Sequence, residues 1–436
     1  MALIHPSSCE CLHSGLDLFS TPPTQTAVEE GQFVEIHPLA SLAQGAPIEF
    51  AISGNSEDYL DLFNTYLHVR AKVTLANGDS IPADVDVAPV NYFLHSLFSQ
   101  VDISLNDTLI TASENTYPYR AYLEATLNHG EEAKNGSLSA ALYARDLACY
   151  FEEFKDDNNE GYRIRRTTAA ESHEIDMMGR IHSDIFAQDR YMLNGVDIKI
   201  KLTPAKDTFT LLTAEPNKGY KAVITYATLV VRKARLNPAI SIAHEKALTT
   251  TNAKYPFKRV VIKTFAIPKG MLSHNQDNLY MSQTPTRLVI GLVASTAFNG
   301  SYTKNPFNFQ HFHLTYLNVS VDGRSLSGKP LVMDFDKKQA IRAFFNSNLA
   351  LGMVGKDAGN GIDYKNFKNG YTLFAFDLSP SLLDGEQFEL AKSGPVSIEL
   401  KFSQVTADPI QVIVYAELDS VLEISKTRQV LTDYTA

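Results

Sequence analysis

Tryptophan is absent from the chain, and cysteine occurs only three times, at Cys9, Cys11 and Cys149. So few thiols exclude a disulfide framework, which suits a reducing compartment or a fold that needs no covalent staples. Cys9 and Cys11 have no second ligand pair nearby, so the spacing of a structural zinc site is missing too. Positive charge is in deficit: 39 Lys and Arg stand against 49 Asp and Glu, for a net charge of −10. A protein that coats nucleic acid needs Lys and Arg to neutralise phosphates, and neither this balance nor any long basic run supplies them. No window approaches the ~20 consecutive apolar residues of a membrane-spanning helix. The opening stretch, MALIHPSSCECLHSG, lacks a basic segment followed by an apolar run and does not read as a secretory signal.

What is there is an ordinary globular composition, 44% hydrophobic and 20% charged over 436 residues. That is enough for two cores of roughly 200 residues each. The order of its patterns shows a chain written twice. VDISLNDTLI (101–110) and LNVSVDGRSL (317–326) both alternate apolar residues and then reach a turn, at Asn106-Asp107 and Asp322-Gly323. A helical pattern follows each: Tyr119, Tyr122, Leu123 and Leu127 form one apolar stripe, repeated as Ile341, Phe344, Phe345 and Leu349. Arg120-Ala121 and Gly130 recur as Arg342-Ala343 and Gly352, both at an offset of 222. Alternating strands recur again around Val196 and Val396, an offset of 200, and VITYATL (223–229) matches VIVYAEL (412–418). Any one pair of half-buried strands looks alike, but four blocks in the same order mean tandem copies of one fold.

The helices carry their own signals. Pro118 stands in a first turn, where its missing N–H costs nothing, Asp336 with Gln339 resembles a capping box, and Gly130 and Gly352 read as closing residues. Residues 1–30 read as a polar arm, 31–236 as the first sandwich, 237–254 as a connector, and 255–436 as the second sandwich with its tail. Many short strands, frequent turns and short helices inserted in the connecting loops predict an all-β protein of antiparallel sandwiches, the class to which jelly rolls belong. The charged, Asn-rich segment FEEFKDDNNEGYRIRR (151–166) lies in the longest insertion, Gly130 to Gly179, and shows no apolar periodicity. It is expected to be mostly solvated or partner-facing.

Catalytic chemistry finds no foothold. Gly355-Lys356 lacks the following Ser or Thr of a phosphate loop. His311 and His313, two apart on a predicted strand, would share a face but have no third ligand in view. His95-Ser96 and His182-Ser183 would face opposite ways on a strand, so neither pair could act as base and nucleophile. Asp102 beside Asn106, and the acidic pair Glu152/Glu153, have nothing to gather them in a pocket. We therefore assign no catalytic, cofactor-binding or metal-binding residues, and expect no enzyme. The 24 Phe and 20 Tyr suit large protein interfaces. They also leave open a carbohydrate-binding or glycan-cleaving protein, although exposed Trp for stacking on sugars is missing.

NYFLHSLFSQVDISLN (91–106), NTYPYRAYLEATLNHG (115–130) and HSDIFAQDRYMLNGVDIKIKL (182–202) resemble the hexon-type major capsid proteins of adintoviruses and the related Polinton (Maverick) elements, some of which are integrated in animal genomes. The resemblance is dense over residues 45–235 and thinner beyond. It implies a double jelly roll, two tandem eight-stranded antiparallel sandwiches, trimerising into a pseudo-hexagonal capsomer that tiles an icosahedral shell around double-stranded DNA. Penton and minor capsid proteins are the implied partners beyond the chain itself, with no sequence-specific nucleic acid binding. The implied location is the virion capsid, with synthesis inside the host cell. A capsid gene domesticated by a host would share every one of these features. By the same resemblance, the Gly130–Gly179 insertion is a candidate outer turret and residues 1–30 a candidate inner arm.

Overall fold

A computed structural model describes residues 5–54, 57–83, 85–154, 158–281, 283–326, 329–357, 359–382, 388–389 and 394–434. Strands of the first half are β1 (Val28–Ile36), β2 (Ile48–Ile52), β3 (Tyr59–Leu75), β4 (Val87–Pro89), β5 (Phe98–Leu105), β6 (Thr108–Leu109), β7 (Ile175–Arg180), β8 (Ile198–Pro204), β9 (Leu211–Thr213) and β10 (Tyr220–Leu236). Those of the second are β11 (Ala253–Ile267), β12 (Ser273–Tyr280), β13 (Arg287–Ala294), β14 (Leu314–Val321), β15 (Arg324–Ser325), β16 (Leu331–Val332), β17 (Leu373–Asp377), β18 (Val396–Phe402), β19 (Ile410–Ile424) and β20 (Val430–Thr432). Short helices are α1 (Phe93–Ser96), α2 (Tyr117–Asn128), α3 (Glu131–Asn135), α4 (Glu160–Ala169), α5 (Asp207–Thr210), α6 (Pro238–Ala247), α7 (Ser295–Asn299), α8 (Ile341–Ala350) and α9 (Tyr364–Lys368). No helix among the described residues is long and apolar enough to cross a membrane.

Each half folds into two antiparallel sheets. The first has the orders β1-β10-β3-β7 and β2-β8-β5-β6, and the second β11-β19-β13-β17 and β12-β18-β14-β15. Set aside the β4-β9 pair, with β16 on β14 and β20 on β19, and eight strands remain in each half, paired in one and the same order. Period-two alternation turns one face of each strand inward: Leu67, Val69, Ala71 and Val73 of β3 are buried, and Val396, Ile398, Leu400 and Phe402 of β18 likewise. The turns fall where Asn-Asp and Asp-Gly call for them. Asn106 and Asp107, and Asp322 and Gly323, all have positive φ, closing the two-residue hairpins β5–β6 and β14–β15.

Ladder registers correct the repeat. β5 pairs Leu105 with Ile198, and β14 pairs Val321 with Val396, so Ile198 and not Val196 corresponds to Val396 and the offset is 198. A slip of two residues keeps every side chain on its face, so alternation alone could not detect it. Pro118 sits in the first turn of α2, and Gly352, at φ +66°, closes α8. Gly130 closes nothing: its φ is −77° and it precedes α3. Nor is there a capping box, because α8 starts at Ile341, Gln339 pairs with Asp334 through backbone, and Asp336 meets His313. At the other end β1 begins at Val28, inside the stretch read as an arm, with Val28 opposite Leu236.

The long insertion is not a solvated loop, although its residues 155–157 lie outside the described part. Tyr162, Arg165 and Ala169 make one buried face of α4, which packs on β4. Arg165 and Asp146, both fully buried, pair at 2.6 Å, and Arg165 Nε donates to the Pro89 carbonyl at 2.9 Å. Asp146 also accepts from Asn159 at 2.9 Å and from Asn305 of the second half at 3.3 Å, and its carbonyl accepts from the Tyr371 hydroxyl.

Candidate functional site

The residues singled out for chemistry do not assemble into a catalytic group. His311 and His313 precede β14 instead of lying on it, with left-handed backbone at Phe312 and His313. His311 stacks on Phe335, ring centroids 4.2 Å apart, while His313 Nδ1 meets Asp336 at 3.0 Å. Ser96 lies in α1, where its hydroxyl donates to the Asn91 carbonyl at 3.0 Å. Gly355 sits in a turn at φ +77° with no helix opening behind it. Glu152 pairs with Lys304 at 2.6 Å, and Asp102 accepts from Gln100 at 2.9 Å. Among the described residues no group of three or more His, Cys, Asp or Glu is placed to hold a metal ion.

The conspicuous construction is the seam between the halves. From α2, Tyr122 stacks on Phe307 with centroids 4.1 Å apart and planes 2° from parallel, and Tyr119 stacks on Phe298 at 5.5 Å. A polar network crosses beside them. Arg120 donates to Glu124 at 2.9 Å and to Asp184 at 2.5 Å, and Asp184 accepts the Val260 N–H of β11 at 3.1 Å. His182 Nδ1 meets Glu124 at 2.6 Å, its Nε2 meets the Tyr92 hydroxyl at 2.8 Å, and its ring stands edge-on to His95 at 4.6 Å. Glu114 accepts the Ile262 N–H at 3.0 Å, and Lys134 of α3 donates to the Thr126 and Asn360 carbonyls. One apolar core runs through this seam, from the interior of the first sandwich to Val289, Ile413, Tyr415 and Leu373 on the outer face of the second. Between the halves a small pocket of about 50 Å³ remains, lined by the carboxylates Glu114 and Asp184 and the tyrosines Tyr117 and Tyr434, with Arg120 and Arg259 beside them. A separate cleft lined by Glu152, His311, His313, Asp336 and Lys368 contains no tyrosine. Of all this, sequence reading singled out the α2 stripe with its Arg120, and His95 and His182 as separate histidines, but not their connection nor the partners across the seam, such as Asp184 and Phe307.

No family model matches the chain. An uncharacterized protein of Caenorhabditis elegans is 29% identical over 426 residues, which cover 94% of this chain and 99% of that one. Among solved structures, a chain of the Sputnik virophage matches with a TM-score of 0.67 at 11% identity, covering 99% of this chain and 94% of its own length. The Faustovirus major capsid protein matches at 0.56 and 12% identity, covering 94% and 92%. The mavirus major capsid protein matches at 0.54 and 12% identity, covering 100% and 96%. The fold is a double jelly roll. Its structural neighbours are double jelly-roll major capsid proteins of viruses and virophages.

Within this double jelly roll, folding shifts the proton affinity of seam groups in both directions: burial raises the Asp184 and Glu114 carboxyls, which favours the folded state on acidification, while His95 and Glu124 act the other way. Burial, and then the neighbouring His182, hold the His95 imidazole well below its ordinary value of 6.5. Burial alone would raise the Glu124 carboxyl, but Arg120 and His182 outweigh it and hold it at about 2, against an ordinary 4.5. Both groups bind protons more readily in the unfolded chain, so both make stability rise with pH. The His95 contribution falls away below pH 6.5, and that of Glu124 between pH 4.5 and about 2. In urea midpoints followed by circular dichroism from pH 7 to pH 4, His95→Phe should remove the part of the acid-induced loss that begins at pH 6.5. A His95→Phe variant with the pH profile of the unaltered protein would exclude this assignment.

The second double jelly-roll helix, α8, is built differently. Its Ala343 and Ser347 pack on their own sandwich, with Ser347 Oγ donating to the Leu373 carbonyl at 3.1 Å and accepting from the Ala375 N–H at 3.1 Å. Of its apolar stripe, Phe344 packs against Tyr364 and Phe367, and the other three residues are turned outward: Ile341 is 59% exposed, Phe345 55% and Leu349 46%.

Proposed function

We propose that the protein is a major capsid protein, a hexon-type subunit that trimerises into pseudo-hexagonal capsomers and builds an icosahedral shell around double-stranded DNA. The observation that carries this reading is the packed pair of jelly rolls with one strand order. Two like sandwiches in each of three chains supply six near-equivalent edges, and closed symmetry turns them into a tile. The structural neighbours support it, being capsid proteins that match over nearly their whole length. Within that class, the motifs of residues 91–106, 115–130 and 182–202 favour the adintovirus and Polinton group. Leu12, Leu16, Leu18 and Phe19 lie exposed on the arm and suit contact with neighbouring tiles or minor and penton proteins. The protein would then be made inside the host cell and reside in the virion shell.

The nematode relative favours a second reading, in which an animal genome has kept a capsid gene for its own use. Fold and assembly are shared between the two readings. For the capsid function, mass photometry of purified protein at micromolar concentration should show a species of three chains, and electron microscopy six-cornered tiles. A protein that stayed strictly monomeric at every salt and pH would overturn it.

A further inference from the structure

We infer that the outward stripe of α8 docks on the outer face of the β1-β10-β3-β7 sheet of a second copy of this chain, making a head-to-tail contact. The inference deepens the capsid reading and rests on it for the number of copies. Its warrant is the internal repeat. α2 and α8 follow corresponding hairpins, and each buries one small-residue face on its own sandwich, Ala121 and Ala125 in α2, Ala343 and Ser347 in α8. Their other faces have opposite fates. Tyr119, Leu123 and Leu127 are no more than 4% exposed, whereas their counterparts Ile341, Phe345 and Leu349 are about half exposed.

What covers α2 is known. Leu123 and Leu127 share one apolar cluster, and line one small cavity, with Val289 and Tyr415 of the β11-β19-β13-β17 sheet, and the loops beside α2 bond to β11 at Val260 and Ile262. The repeat therefore names the surface that should cover α8: the corresponding sheet of a first sandwich. Among the described residues that surface keeps partly exposed aromatic and apolar side chains. Alternation turns Tyr66, His68 and Arg70 outward on β3, with Met178 opposite His68 and Tyr226 opposite Arg70. Phe33, Phe63 and Met178 are 58%, 38% and 37% exposed, and Phe33 lies 6.4 Å from Tyr66. Each chain thus offers one unmatched helix stripe and one unmatched sheet face. Within a chain the two sandwiches already show how such a pair fits. A heterologous contact of this kind closes into a ring when the rotation from one copy to the next closes on itself, and into an open filament when it does not; three chains closed in this way give six sandwiches.

The test uses the full chain with Phe345→Asp on the stripe and, separately, Met178→Asp on the sheet. Both side chains are partly exposed, so circular dichroism and melting temperature should match the unaltered protein. Leu349→Lys and Phe33→Asp serve as second variants if either fails to fold. Each variant alone should be monomeric by mass photometry, its dissociation constant raised about thirtyfold or more, as for a lost interface hot spot. An equimolar mixture of the two should give dimers and no rings, because one intact stripe remains to meet one intact sheet face. Variants that form rings like the unaltered protein, or a mixture that stays monomeric, would overturn the docking proposal while leaving the capsid reading in place. An unaltered protein that never leaves the monomer would overturn both.

Discussion

Asp146→Ala should lower the free energy of unfolding by roughly 3–5 kcal/mol, because it strands a buried guanidinium. Arg165 is 0% exposed, and among the described residues the groups that hold it are the Asp146 carboxylate and the carbonyls of Pro89 and Ala144. The same carboxylate ties down Asn159, which caps α4, and Asn305 of the second half. Denaturant unfolding followed by circular dichroism measures the loss, since the chain has no tryptophan to report it. Replacing both partners, Asp146→Leu with Arg165→Met, should cost much less than the single change, as an apolar pair of similar volume leaves no stranded charge. A single variant within about 1 kcal/mol of the unaltered protein would mean that water reaches Arg165 and that the pair is not structural.

Arg120→Ala should cost a comparable 3–5 kcal/mol, here at the seam. Arg120 is the cation between Glu124 and Asp184, and both carboxylates are largely buried. Without it Glu124 loses the charge that opposes its burial, so its carboxyl should climb from about 2 toward or above its ordinary 4.5. The variant should be weaker at pH 7 and less sensitive to further acidification than the unaltered protein. That change of slope separates loss of the ion pair from a general loss of packing, which would shift the curve downward without changing its shape. Equal slopes would show that Arg120 acts through packing alone.

Much of this architecture was legible in the residues, and the rest was hidden for definite reasons. VDISLNDTLI and its partner gave away strand, turn and strand because alternation and a two-residue hairpin are local properties. The α2 stripe was equally plain, with Tyr119, Tyr122, Leu123 and Leu127 all buried. Periodicity could not say what a stripe faces, so the same reading at Ile341, Phe345 and Leu349 found the helix but not that these three residues face outward. α4 was missed because its inward face, Tyr162, Arg165 and Ala169, has a cation at its centre and so lacks an apolar signature, although the spacing is helical. The polar seam could not be read at all: His95 and His182 touch across 87 positions, and no motif links them.

The shared core has a mechanical consequence. Apolar packing runs without a break from one sandwich into the next sheet, and an interface of that kind suppresses relative motion between its two sides. The chain is duplicated in topology but not in thermodynamics, so heating should melt it in one step and no hinge divides it. Any curved surface assembled from such units should bend first at the joints between molecules, since the seam within each is packed.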